Sequence, residues 1–202
     1  YLTKKINNIA LITISKKHKN KFDKSIEFIS FKSEIWDRQS RKFKYVLSLL
    51  LLLREILKNR NLLVFAFQAN IYCIILCKIF KIKIIVRSNS APIGWSQNQF
   101  KNYLFKFFLN RADKVMVNSI EFKKSLKKRF NVSAKCIYNP LDKLEILKKS
   151  KLRSKKFFTS NKKIRILNIG RYVDQKDQET LIRALNEIKN KLNFEAIIVG
   201  KG

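Results

Sequence analysis

Two cations, Arg171 and Lys176, stand five positions apart in Gly170-Arg171-Tyr172-Val173-Asp174-Gln175-Lys176. The segment follows the apolar run Ile164, Ile166, Leu167, Ile169 and precedes a helical pattern. A glycine at a strand's end lets the backbone turn closely, and a helix start behind it offers N–H groups to an anion. A guanidinium and an ammonium over the same spot suit a diphosphate. A second glycine, Gly200, closes the next apolar run, Ile197-Ile198-Val199. The same residues also fit an ordinary βαβ unit with two surface cations, and the loop alone leaves both readings open. A second candidate is Arg87-Ser88-Asn89, directly after Ile84-Ile85-Val86. Arg87 is suited either to a phosphate or to a structural salt bridge. No metal set is apparent: His18 is the sole histidine, and Cys73, Cys77 and Cys136 are too few and too scattered. Free thiols in a reducing compartment are the expected state of the cysteines.

The elements that must hold these groups can be read from periodicity. Residues 9–14 and 26–31 read as short strands, with a basic turn between them. Residues 35–44 are mixed and polar and read as loop. Residues 46–57 read as a leucine-dense helix, apolar on nearly every side, hence buried, and too short for the roughly 20 residues of a membrane span. The alternative is an outer face touching lipid, with Arg38, Arg41, Lys42 and Lys44 holding anionic head groups. From residue 62 short apolar strands alternate with helices: strands at 62–67, 82–86, 114–117 and 135–138, helices at 69–80, around 100–108, and from the N-cap Ser119 to Arg129. This order indicates a parallel sheet with right-handed crossovers, whose ligands sit outside the carboxyl ends of the strands. A Lys- and Ser-rich linker, 143–163, separates residues 1–142 from a final strand–helix–strand unit, 164–202, with the helix at about 178–192. A single βαβ unit cannot bury both faces of its sheet, so the second domain reads as truncated.

Composition narrows the partners. The 202 residues hold 45 Lys and Arg against 14 Asp and Glu, a formal charge of +31, with 46% hydrophobic residues. That excludes a disordered chain. It favours a solvated Lys-rich surface first and an anionic membrane second. Nucleic acid is not expected as a partner, because no helix-turn-helix signature, zinc-ligand spacing or RNP-like aromatic strand is present. The chain opens at Tyr1, without initiator Met or signal peptide, and reads as a fragment beginning in the last turn of a helix.

The block Gly-Arg-Tyr-x-x-Gln-Lys-Asp-x-x-Thr-Leu-Ile-Arg-Ala-Leu, residues 170–185, continued by Ile197-Ile198-Val199-Gly200-Lys201-Gly202, resembles the nucleotide-sugar half of retaining glycosyltransferases of family 4. Arg111-Ala112-Asp113-Lys114-Val115-Met116-Val117-Asn118-Ser119 and Tyr138-Asn139-Pro140-Leu141-Asp142 resemble that family's interdomain strand and its crossover between domains. The resemblance implies a GT-B fold of two Rossmann-like domains, 1–142 on the acceptor side and 164–202 on the donor side. It also implies sugar transfer with retention from a UDP- or GDP-sugar to a glycan or lipid-linked acceptor, as in surface polysaccharide or lipopolysaccharide biosynthesis. Arg171 and Lys176 would be catalytic, binding the diphosphate beside Gly170 and Gly200, with no metal or other cofactor. Arg87, Ser88 and Asn89 would face the acceptor, where many members carry a histidine. The family's first strand with its glycine-rich loop would lie before Tyr1, and its glutamate pair beyond Gly202. The expected location is cytoplasmic, peripheral on the inner face of the membrane. The alternative is a non-catalytic basic α/β module that docks on nucleic acid or anionic membrane.

Overall fold

A computed structural model describes residues 8–15, 19–31, 34–89, 98–152, 157–160 and 162–201. The helix turn read at residues 1–5, His18, most of the loop after Asn89 and Gly202 lie outside them. The chain divides into two compact units, Tyr1–Pro140 and Leu141–Gly202, so the first ends two residues before the boundary read from the sequence.

In the first unit, β1 (Ala10–Ile12) pairs in parallel with β2 (Glu27–Ile29). The residues that follow depart from the loop reading. Glu34–Arg38 forms a 3-10 turn, and α1 runs from Arg41 to Lys58, with the Ser40 hydroxyl accepting from the Phe43 N–H at 3.4 Å. The helix therefore begins five residues before Val46, because Ser40 supplies the cap that a purely apolar reading passes over. It is also not buried all round. Leu47, Leu51, Leu52 and Ile56 face inward, whereas Val46, Leu50 and Leu57 are more than half exposed. At 3.6 residues per turn, a run of five leucines has to spread over both faces.

Four further strands form one parallel sheet in the order β3 (Leu63–Ala66), β4 (Lys83–Ser88), β5 (Lys114–Val117), β6 (Ala134–Cys136). The crossovers are α2 (Asn70–Ile79), α3 (Gln99–Leu109) and α4 (Ile120–Phe130). Short β-branched strands alternating with amphipathic helices give this Rossmann-like α/β layering, as the periodicity predicts. Ser119 caps α4 as read, accepting from the Phe122 N–H at 3.2 Å, and Asn131, in the left-handed region at φ 51°, ends it.

The core lies on one side of this sheet. Ala66, Ile84, Val86, Val115, Val117 and Ala134 point into a cluster completed by Ile56, Ile74, Cys77, Leu109, Leu126 and Phe130, so α1 to α4 share that face. Emptying a fully buried position such as Ile56 or Phe130 to alanine costs about 2–5 kcal/mol. On the opposite face the register lines up Phe65, Ile85 and Lys114 in one row, and Arg87, Met116 and Lys135 in the next. Asp113 locks β4 to β5: its N–H donates to the Ile84 carbonyl, and its Oδ2 accepts from the Ile84 N–H at 2.8 Å and from Lys78 Nζ at 2.7 Å. Partial burial pushes the Asp113 carboxyl up. The Lys78 ammonium and the Ile84 N–H outweigh that and hold it below the usual range. Burial raises the thiols of Cys73 and Cys77 to about 11 and about 12, so both are poor nucleophiles.

In the second unit, α5 (Lys143–Ser150) occupies the start of the segment read as a linker, capped by Asp142 Oδ1 on the Glu145 N–H at 2.8 Å. β7 (Ile164–Ile169) and β8 (Phe194–Val199) pair in parallel over six residues, with α6 (Gln178–Ile188) as crossover. The helix stops four residues short of the expected Leu192, in a turn at residues 189–191. Glu195 binds the Thr159 N–H and Oγ1 and the Ser160 N–H, which fastens residues 159–160 to β8. No described residue of this unit is fully buried, as expected when one helix has only two strands to cover.

Candidate functional site

The candidate donor loop is built at the carboxyl ends of two parallel strands. β7 and β8 end in register at Ile169 and Val199, so Gly170 and Gly200 leave the sheet side by side. The Gly170 N–H donates to the Val199 carbonyl at 2.9 Å, and the Tyr172 N–H to the Lys201 carbonyl at 3.2 Å. Tyr172 Oη donates to the Ile198 carbonyl at 3.2 Å, and Gln178 Nε2 to the Arg171 carbonyl at 2.9 Å. These bonds define the loop through its backbone and through Tyr172 and Gln178. Among the described residues, none takes up the Arg171 guanidinium or the Lys176 ammonium, and both residues are exposed.

The two glycines have different roles from the one the sequence assigns. Gly170 is not in the left-handed region, and a Cβ there would meet only ordinary contacts at 3.5 Å, with Gln178 Nε2 and Lys176 Cγ. The Lys176 stem therefore lies along Gly170. Gly200 is the position that excludes a side chain: a Cβ would stand 2.0 Å from the Gly170 carbonyl oxygen and 3.0 Å from the Tyr172 ring.

The helix start behind the loop differs from the expected open cradle. Asp177 sits in the left-handed region at φ 47° and accepts from the Thr180 N–H at 3.3 Å, so its own carboxylate serves the first turn of α6. Asp174 and Asp177 also balance Arg171 and Lys176 by count across residues 170–177. Attraction of this loop for an anion rests on where the two cationic heads point, since its net charge is zero.

The second candidate, at the end of β4, divides in three. Ser88 is 8% exposed and lies in line with Ile84 and Val86 on the helix-covered face. Asn89 is exposed, and its Oδ1 accepts from Arg87 Nε at 3.2 Å. Arg87 reaches across to the exit of β6, where Nη2 donates to the Ile137 carbonyl at 3.2 Å and to Asn139 Oδ1 at 2.7 Å. These acceptors are neutral amide and carbonyl oxygens, where a structural salt bridge would have placed a carboxylate. Asn139, two residues before the second unit begins, is the partner that sequence reasoning missed. Its signal was the Tyr138-Asn139-Pro140 motif, read only as a crossover. Asn70 was missed too: its Nδ2 donates to the Arg87 carbonyl at 3.1 Å, while its Oδ1 is buried without a partner among the described residues, as is Asn118 Oδ1 beyond β5.

Two open surface depressions lie elsewhere. One runs along α4 between Ile120, Lys123, Lys124, Lys127 and Lys128, the other beside the turn from Lys189 to Phe194. Among the described residues no three His, Cys, Asp or Glu side chains converge in a way that could hold a metal ion, and no helix is long and apolar enough to cross a membrane. Neither the protein-family models nor the curated proteins contain a match to this chain.

Proposed function

We propose that the chain is part of a retaining glycosyltransferase that takes a sugar from a nucleoside diphosphate sugar and passes it to a hydroxyl of a glycan or lipid-linked acceptor. The observation that carries this reading is the pair of exposed cations, Arg171 and Lys176, on a loop at the carboxyl ends of two parallel strands and without a protein acceptor among the described residues. In the reaction the bond from the anomeric carbon to the diphosphate oxygen breaks, a bond to the acceptor oxygen forms on the same face, and the acceptor's proton leaves with the diphosphate. Arg171 and Lys176 bind the diphosphate and stabilise the negative charge that grows on it. Loss of one such contact costs about 3–4 kcal/mol of barrier in comparable oxyanion sites. Gly200 supports the loop by letting the two strand exits close on each other. The same reading puts the enzyme at the inner face of a membrane.

Calorimetric titration with UDP and GDP tests it. The wild-type chain should prefer one base, and Arg171→Ala with Lys176→Ala should abolish the heat. Unchanged affinity in the double variant removes those two residues from the site.

A second reading has its own observation. Lys123, Lys124, Lys127 and Lys128 line one face of α4, where like charges four apart repel by a few tenths of a kcal/mol per pair. Such a face suits a polyanion, and a non-catalytic basic module would bind one with a steep salt dependence and no preference among nucleoside diphosphates.

A further inference from the structure

We infer that the outward face of α1 is a docking surface for a membrane containing anionic lipid, with the helix lying in the plane of the bilayer surface. Phe43, Val46, Leu50 and Leu57 are 42%, 52%, 53% and 59% exposed. Their steps of three, four and seven residues place all four side chains within about 60° of the helix circumference, along a length of about 21 Å. Leu47, at the border of the stripe, and Leu51, Leu52 and Ile56 further round hold the inward side in the core. The outer stripe is thus presented by a helix whose orientation is already fixed, and it requires no refolding to be offered.

What covers such a stripe is decided by its borders. α1 carries Arg41, Lys42, Lys44, Arg54 and Lys58 against one acid, Glu55. That carboxylate already pairs with Arg54 at 2.9 Å and Lys58 at 3.0 Å, and its side chain is only 20% exposed. Lys42 and Arg54 lie on either side of the stripe by helical position. No acidic side chain of the helix therefore competes at the surface, and the long cationic stems can reach out to phosphate head groups while the stripe enters the acyl boundary. At the N-terminal end Trp36 stacks on Phe43, with ring centroids 6.0 Å apart and planes at 20°. An indole there suits the head-group level, where one side is apolar and the other wet. Each cation near an anionic leaflet adds further attraction that salt weakens. Six charged residues along its 18 keep the helix out of the bilayer's interior, so it lies on the membrane and does not span it.

This inference does not depend on the glycosyltransferase reading, and the two fail separately, because nucleoside diphosphate binding is measured without lipid. The test is co-sedimentation of the 202-residue chain with vesicles of phosphatidylglycerol and phosphatidylcholine, against vesicles of phosphatidylcholine alone. Binding should require the anionic lipid and weaken with salt. Val46→Ser with Leu50→Ser should lower the partition coefficient at least about tenfold, since each apolar side chain transferred contributes a factor of that order. Both positions are exposed, so far-UV circular dichroism should be unchanged. As a second readout independent of that variant, brominated lipid should quench Trp36 in a Trp95→Phe background. Failure to sediment with anionic vesicles overturns the inference and assigns the stripe to another protein surface. Equal binding by the serine variant, or unquenched Trp36, overturns it in favour of attraction by lysines elsewhere, such as those of α4.

Discussion

Replacing Gly200 by alanine puts a methyl carbon 2.0 Å from the Gly170 carbonyl oxygen, where ordinary contact begins at 3.4 Å. The obstacle is backbone, not a side chain that could swing aside, so the exits of β7 and β8 would have to part by about 1.4 Å, the difference between those distances. That separation acts on the bonds from the Gly170 N–H to the Val199 carbonyl and from the Tyr172 N–H to the Lys201 carbonyl. Each such bond contributes about 0.5–1.5 kcal/mol net, and forced overpacking adds about 1–3 kcal/mol, for a total of about 2–6 kcal/mol. Gly170→Ala is the matched control. Its backbone is outside the left-handed region and its Cβ would meet atoms at 3.5 Å, so it should change stability by no more than about 1 kcal/mol in either direction. Amide hydrogen exchange across β7, β8 and the 170–176 loop reads the difference directly. Gly200→Ala should speed exchange there about 30-fold or more, and Gly170→Ala should hardly move it. Equal protection in the two variants would refute the argument that Gly200 is there to admit the Gly170 carbonyl.

Arg87→Met removes three hydrogen bonds from the strand exits and should loosen residues 137–140 by about 1–2 kcal/mol in local exchange. Asn139→Ala should reproduce part of that effect, and the double variant should fall short of additivity; additive effects would mean the two side chains act apart. Asp113 sets a pH dependence. Its folded carboxyl lies below its unfolded value, so its contribution is present above the unfolded value near 3.8 and is lost as pH falls through the folded one. Urea melts of Asp113→Asn should therefore differ from wild type at pH 7 and converge in strong acid. Because the Lys78–Asp113 pair is about a third exposed or more on both sides, the difference at pH 7 should stay within about 1 kcal/mol. A gap that widens on acidification would contradict the assignment.

The first unit was the more legible in sequence, and particular residues show why. β-branched runs such as Ile84-Ile85-Val86 and Val115-Met116-Val117 alternate with helices whose apolar stripe recurs at three and four residues, and the parallel pairing follows from that alternation. Ser119 was recognisable as a cap because an amphipathic pattern follows it directly. Ser40 was not, because the cations behind it hide the start of α1. The leucine run disguised the two faces of that helix, since identical side chains carry no record of which ones face water. At the site, side-chain type was readable and direction was not. Arg87 is a cation at a strand end in either case, and only the fold brings Asn139, 52 positions later, to within 2.7 Å of it. Likewise Gly170 and Gly200 look alike on paper, and only the pairing of β7 with β8 reveals which one must lack a side chain.

Among the described residues the helices of the first unit pack on one side of its sheet, and this bears on how the protein behaves in a tube. Parallel sheets usually have both faces covered, yet here Leu63, Phe65 and Phe67 stand exposed at its β3 edge, with the two phenylalanine rings 4.6 Å apart. A bare edge beside an oily patch invites copies to stack. What opposes stacking is the excess of 45 basic over 14 acidic residues, which includes Lys83, Lys114 and Lys135 on the face away from the helices. The chain should accordingly behave as a charge-stabilised colloid: dilute buffer should keep molecules apart, and added electrolyte, by shortening the reach of that repulsion, should bring on clouding, which turbidity against salt concentration reads.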